Sequence, residues 1–192
     1  MNTLSKDQGD ILVRLAKSTI ASLLGAKQEE QIKPQELCAP EFQEKRGVFV
    51  TLHKKGQLRG CVGSLTGSET ILEAIRHQAE NAAFYDSRFS RVRADELADI
   101  KVEISILSDP APLTFSDQED LVRKLRPQID GVILSCGRHQ STFLPQVWDQ
   151  LPDPKDFLGH LAMKAGLLRE GWKNKGVEIS TYQVQHFDER DN

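Results

Sequence analysis

The sequence predicts an α+β fold built on antiparallel sheet. Two hairpins are marked by short turns carrying glycine, Lys54-Lys55-Gly56-Gln57 and Cys136-Gly137-Arg138. Strands and helices follow in mixed order, without the strict alternation of a doubly wound parallel fold. No repeat at solenoid periods and no low-complexity tract breaks the pattern. Helical crossovers between some strands leave mixed pairing open.

The first helix has both ends written in sequence. Ser5 and Gln8 stand at capping-box spacing. Ile11, Leu12, Leu15, Ala16, Ile20, Leu23 and Leu24 then recur at helical spacing, and Gly25 stops the run. Residues 26–45 are polar, hold Pro34 and Pro40, and read as a long connection with room for one short helical turn. Val48, Val50 and Leu52 alternate with Phe49, Thr51 and His53, an internal strand with two largely apolar faces. The returning strand runs from Leu58 to Leu65.

A second helix is expected after Ser68 as its cap, with Ile71, Ile75, Ala79, Ala82 and Ala83 as its buried stripe. The chain leaves that helix at Phe84-Tyr85-Asp86-Ser87-Arg88-Phe89, and residues 95–97 suit a single turn. From Lys101 to Leu107, Val102, Ile104 and Ile106 share one strand face, with Glu103 and Ser105 on the other. Asp109-Pro110-Ala111-Pro112 breaks strand and helix alike and is the best boundary signal in the chain. Beyond it, Ser116 and Glu119 have capping-box spacing for a helix through Leu125, ended by Pro127. Gly131–Ser135 and Ser141–Leu144 flank the second hairpin turn. Asp153 as cap and Pro154 at the first helical position open a helix carrying Phe157, Leu158, Leu161, Ala162 and Ala165, closed by Gly166. A final strand is expected from Val177 to about Phe187, with a bulge near Thr181-Tyr182 where its apolar phase slips.

Composition narrows the function classes. With 39% apolar and 28% charged residues, the chain is ordinary for a globular protein. Its 192 residues bury enough surface to fold without disulfide staples. The balance of 25 basic against 28 acidic residues gives −3, which argues against nucleic acid as the main partner. No apolar run approaches a membrane span. The start, Met-Asn-Thr-Leu-Ser-Lys-Asp, lacks a secretory pattern, so a cytoplasmic location is expected. Cys38, Cys61 and Cys136 are odd in number and widely spaced, which suits neither a disulfide framework nor a Cys-pair zinc site.

Chemistry concentrates on Arg59-Gly60-Cys61-Val62-Gly63. On a regular strand Arg59 and Cys61 share a face, about 7 Å apart, while Leu58 and Val62 take the other. A guanidinium at that distance favours the thiolate, the reactive form of cysteine. Gly60 and Gly63 leave the backbone beside Cys61 uncovered, a mark of close approach by a ligand or by another backbone. The plainer alternative is a buried cysteine acting as a small hydrophobe, with glycines that admit a helix. A nucleophilic cysteine needs a base. His53, on the partner strand, is the nearest by topology, and the hairpin register decides whether it faces Cys61. Asp86, Arg88, Arg91 and Arg93 form either an anion-recognising loop or a solvated turn capped by Asp86. Glu103 and Ser105 join Cys61 if their strands are neighbours. Phe143, Trp148 and Phe157 suit a core more than a ligand box.

These residues resemble a known family. Leu58-Arg59-Gly60-Cys61-Val62-Gly63 is similar to the six-residue signature of the AMMECR domain, whose fifth place is usually isoleucine. Residues 82–89, with Ala83-Phe84, Asp86 and Arg88-Phe89, look like a second family segment. The strand 101–107, the stretches 131–134 and 142–148, Phe157-Leu158 and residues 164–167 continue the match in order through nearly the whole chain. Val62 and Cys136 are the main departures.

The resemblance implies one two-lobed α+β domain over 1–192. Its large lobe takes 1–110 and 173–192, and a smaller α+β lobe takes 111–172 in the middle. The signature strand would face a cleft between them. The resemblance also implies a Memo-type protein and a radical-SAM protein as partners, as in AmmeMemoRadiSam system protein A. It carries no reaction. The expected activity is therefore a Cys61-centred active site, a cysteine-dependent transferase or hydrolase or a component of the radical-SAM system. The alternative is a non-catalytic binding module recognising a protein segment or an anionic metabolite. Cys61 and Arg59 are the expected catalytic pair. Leu58, Gly60, Gly63, Asp86, Arg88, Glu103 and Ser105 are expected to bind. No metal, cofactor, nucleic acid or membrane enters this expectation.

Overall fold

The computed structural model describes residues 3–26 and 32–189. The chain divides into two compact units. One runs to Leu107 and resumes at Gln185; the other is Ser108–Val184.

The first unit opens with α1 (Lys6–Leu23). The Ser5 hydroxyl accepts the Gln8 N–H at 3.2 Å, and the Gln8 side chain accepts the Ser5 N–H at 2.8 Å, so the box forms in both directions. Gly25 takes φ +65°, the left-handed stop that glycine accepts without penalty. Leu23, expected in the apolar stripe, stays exposed. The connection to the first strand falls partly on residues 27–31, outside the described residues. Its remainder makes two 3-10 turns, Pro34–Leu37 and Pro40–Gln43, and Phe42 anchors it in the core.

Strands β1 (Val48–Lys54) and β2 (Gln57–Ser64) form the expected hairpin. Lys55 at φ 51° and Gly56 at φ 75° give a turn with two left-handed residues, the type I′ geometry that matches strand twist. Helix α2 (Ile71–Phe84) follows. Its cap is Thr70 rather than Ser68, because Thr70 and Glu73 complete a capping box that Ser68 cannot reach. After a 3-10 segment (Ala94–Asp99), β3 (Ile100–Leu107) returns beside β1.

The second unit begins with β4 (Ala111–Pro112), although two prolines stand there. It survives as an edge strand, where the missing proline N–H is not required. Helix α3 (Gln118–Lys124) is capped by Asp117 rather than Ser116, its carboxylate accepting the Asp120 N–H. Strands β5 (Gly131–Cys136) and β6 (His139–Phe143) pair around Gly137 at φ 60°. Helix α4 (Pro154–Lys164) starts at its Asp153 cap. Trp148 and Phe157 stack 3.7 Å apart in this core, with Phe143 edge-on to Phe157.

The single strand expected from Val177 to Phe187 is two strands in two sheets. β7 (Glu178–Tyr182) lies between β4 and β5, and β8 (Val184–Asp188) lies beside β3. The change of apolar phase at Thr181-Tyr182 thus marks a change of sheet, not a bulge.

The sheet orders are β2-β1-β3-β8 and β4-β7-β5-β6. In the first unit α1 and α2 cover one face, over Val48, Val50, Leu52, Val102, Ile104 and Ile106. Each such side chain, fully buried, contributes about 1.5–3 kcal/mol. The second face of this sheet carries the polar chemistry.

Candidate functional site

The hairpin register decides which residues meet. A plain hairpin closing at Lys55-Gly56 would place Cys61 opposite Val50, on the helix-covered face. Instead the register shifts between Leu52 and His53: Leu52 faces Gly60, His53 faces Leu58, and Arg59 is the extra residue of a bulge. A slip of one residue turns a strand over. The Arg59 bulge therefore brings Cys61 opposite Thr51, on the second face, and leaves Val62 with the core.

The regular-strand expectation of Arg59 beside Cys61 does not survive this bulge. Arg59 turns to the Glu96 carboxylate at 2.7 and 3.3 Å and donates to the carbonyls of Ser90 and Arg91. Lys54 reaches the same carboxylate at 2.7 Å. Arg59 foremost, then Lys54, draws the Glu96 carboxyl down to about 2. Leu58, expected on the face away from Cys61, shares its face and is 43% exposed.

The guanidinium near Cys61 belongs to Arg88. β2 is an edge strand, and its backbone at Cys61 points outward. The Cys61 N–H donates to Asp86 Oδ2 at 2.9 Å, and the Cys61 carbonyl accepts from Arg88 Nη2 at 3.0 Å. Arg88 closes the ring with bonds of 2.9 and 2.7 Å to the two Asp86 oxygens. The Asp86 side chain is 5% exposed. The Arg88 guanidinium holds it far below the usual carboxylate range, helped by the backbone amides of Cys61 and Arg88. Asp86 in turn raises the Arg88 pKa, and the Cys61 thiol adds a smaller effect in the same direction. On the other side of β2, the Thr51 hydroxyl donates to Cys61 Sγ at 3.3 Å. This close approach is typical of a pair without backbone bonds between its strands.

Both glycines are packed rather than open. A Cβ on Gly60 would lie 2.2 Å from the Ala82 carbonyl oxygen, so α2 touches the strand backbone there. A Cβ on Gly63 would lie 2.3 Å from the Phe49 ring, which covers that strand.

A second polar group occupies the same sheet face. Glu103 sits opposite Thr51 on β3. It lies 3.5 Å from His53 Nε2 and 3.7 Å from His186 Nδ1. His186, foremost, and His53 lower its pKa against the opposing effect of burial. Buried Ser105 meets His186 Nδ1 at 3.1 Å. The register pairs His53 with Leu58 and Lys101, and its carboxylate partner is Glu103. Among the described residues, no group of three His, Cys, Asp or Glu side chains could hold a metal ion, and no helix is long and apolar enough to cross a membrane.

Thr51, Glu96 and His186 were not among the expected site residues. Thr51 and His186 become visible only when strand register is known. Glu96 is marked in sequence by nothing beyond its charge.

A family model described as AMMECR1 matches residues 13–187. The chain belongs to the AMMECR1 family. The protein Mbar_A1807 of Methanosarcina barkeri is 41% identical over 188 residues, covering 96% of this chain and 91% of that protein. A protein of Methanothermobacter thermautotrophicus is 37% identical, covering 97% and 96%. The crystal structure of the uncharacterized protein PH0010 from Pyrococcus horikoshii shares the α+β fold, with a TM-score of 0.84 and 32% identity over 97% of this chain and 94% of that one. In this AMMECR1 chain the signature-like run Leu58–Gly63 is the bulged edge strand, and the Asp86–Arg88 segment is what clamps it.

Proposed function

We propose that Cys61 is the reactive thiol of a cysteine-dependent group-transfer or hydrolytic site. The observation that carries this reading is the setting of Cys61. Its backbone is gripped on both polar groups by Asp86 and Arg88, while its sulfur lies beside the Thr51 hydroxyl. A backbone held on both sides fixes the sulfur in one place beside a hydroxyl donor, the setting a nucleophilic thiol needs. On the same sheet face Glu103 pairs with His53 and His186, and His53, on the strand next to Cys61, is the nearest candidate base. Arg59 serves the site by fixing the bulge, not by touching the sulfur. The protein acts in the cytoplasm with a Memo-type and a radical-SAM protein, the partners implied by its likeness to AmmeMemoRadiSam proteins.

Site-resolved alkylation tests the thiol. Iodoacetamide is added at neutral pH and labelling of Cys38, Cys61 and Cys136 is followed by peptide mass spectrometry. Cys61 is expected to react faster than Cys38, although Cys38 is the more exposed. Slower labelling of Cys61 than of Cys38 overturns the reading. Pull-down with the two partner proteins tests the assembly.

A further inference from the structure

Beside the Cys61 strand lies a surface that this reading does not use. The chain leaving α2 is exposed at Tyr85, Arg88, Arg91 and Arg93, and Tyr85 is 60% exposed. The segment is nonetheless fixed from beneath. Val92 is buried and its N–H donates to the Ala83 carbonyl at 2.8 Å. The Phe89 N–H donates to the Asp86 carbonyl at 3.0 Å, and Arg59 grips the carbonyls of Ser90 and Arg91. The Arg91 guanidinium lies 5.5 Å from the centre of the Tyr85 ring. Among the described residues its cation meets that ring and no carboxylate. Arg93 pairs with Asp95, but both side chains are mostly exposed, at 77% and 68%, so the pair is weak and readily exchanged.

We infer that this loop is a docking surface for an acidic protein segment in extended conformation. Arg91 and Arg93, both exposed, flank buried Val92, and alternate residues of an extended chain stand about 7 Å apart. That is also the spacing of carboxylates in an Asp/Glu-x-Asp/Glu stretch, so two arginines meet two acids in register. Tyrosine and arginine are the residues most able to anchor an interface. A loop already held in place loses little freedom on binding. The arginines concentrate positive charge locally on a chain whose net charge is −3. That net charge disfavours a long polyanion, which needs an extended cationic face; the exposed arginines of this loop suit a short acidic peptide.

The test is an NMR titration of the uniformly ¹⁵N-labelled full chain. The probe is a peptide of about twelve alternating Glu and Ser residues at low ionic strength, where surface charges are least screened. Saturable shifts centred on residues 85–93 are expected. They should weaken about tenfold or more in Arg91→Glu, equivalent to about 1.4 kcal/mol, and fade as salt is added. Cys61→Ser should titrate like the unaltered chain, which separates this surface from the thiol chemistry. The inference is overturned by shifts that do not saturate there, by an Arg91→Glu chain that binds undiminished, or by single-stranded DNA of equal charge binding the loop more tightly than the peptide.

Discussion

Replacing Glu96 by Gln removes the charge that holds the Arg59 bulge. The carboxylate receives Lys54, two nitrogens of Arg59 and the Arg93 N–H, and its side chain is 12% exposed against 13% for Arg59. Losing one partner of a buried ion pair costs about 3–5 kcal/mol. Arg59 retains two carbonyl acceptors and Gln retains an amide oxygen, so about 2–3 kcal/mol is expected. The pKa gives a consistent figure. A fall from the usual 4.5 to about 2 corresponds to about 3 kcal/mol at roughly 1.4 kcal/mol per unit. The folded-state value lies below the unfolded one. The stabilisation is therefore complete above pH 4.5 and disappears as pH falls through about 2. At pH 3 about 1.4 kcal/mol should remain. Urea unfolding of both chains at pH 7 and pH 3 measures the gap. A gap below about 1 kcal/mol at pH 7, or one that does not shrink at pH 3, would refute this account of the bulge.

Three further outcomes are expected. Gly60→Ala should destabilise by about 3 kcal/mol, because its methyl would press on the Ala82 carbonyl and move α2; an unchanged urea midpoint would contradict this. The Tyr182 phenol, pushed up to about 12 by burial and opposed by its Thr142 bond, should stay protonated past the ordinary phenol range in an ultraviolet titration. Stability linked to it is complete below pH 10 and is lost as pH rises towards 12; ionisation of Tyr182 near pH 10 in the folded protein would count against it. Asp153→Ala removes the acceptor of the Lys155 and Asp156 N–H groups and should cost about 1 kcal/mol in thermal melts, with Asp153→Ser largely restoring it.

Features with a local cause are legible in the sequence. Ser5 with Gln8, Asp153 with Pro154, and the two glycine turns each act over a few residues, and each forms as expected. The helix starts misplaced by one or two residues, at Ser68 and Ser116, fail where several polar residues compete for one cap. Non-local choices leave no such mark. Nothing between Leu58 and Gly63 announces that Arg59 is the inserted residue, yet that insertion turns Cys61 over and sends Arg59 to Glu96. Asp86 and Arg88 stand out in the sequence beside the signature-like run. Their role as a clamp on Cys61 depends on the path of the chain after α2, which only tertiary structure provides. The last strand reads as continuous because β7 and β8 are separated by Gln183 alone.

The stacked Trp148 also has an optical consequence. The chain has two tryptophans, Trp148 and Trp172, and both are buried in the unit from Ser108 to Val184. Indole emission is therefore a private signal of that unit, blind to the bulge, the clamp and the thiol. Far-ultraviolet circular dichroism follows helices in both units. Superposing the two signals through one denaturant titration makes the chain report on its own cooperativity: coincident curves mean that the units melt as one, and separated curves give each a stability of its own.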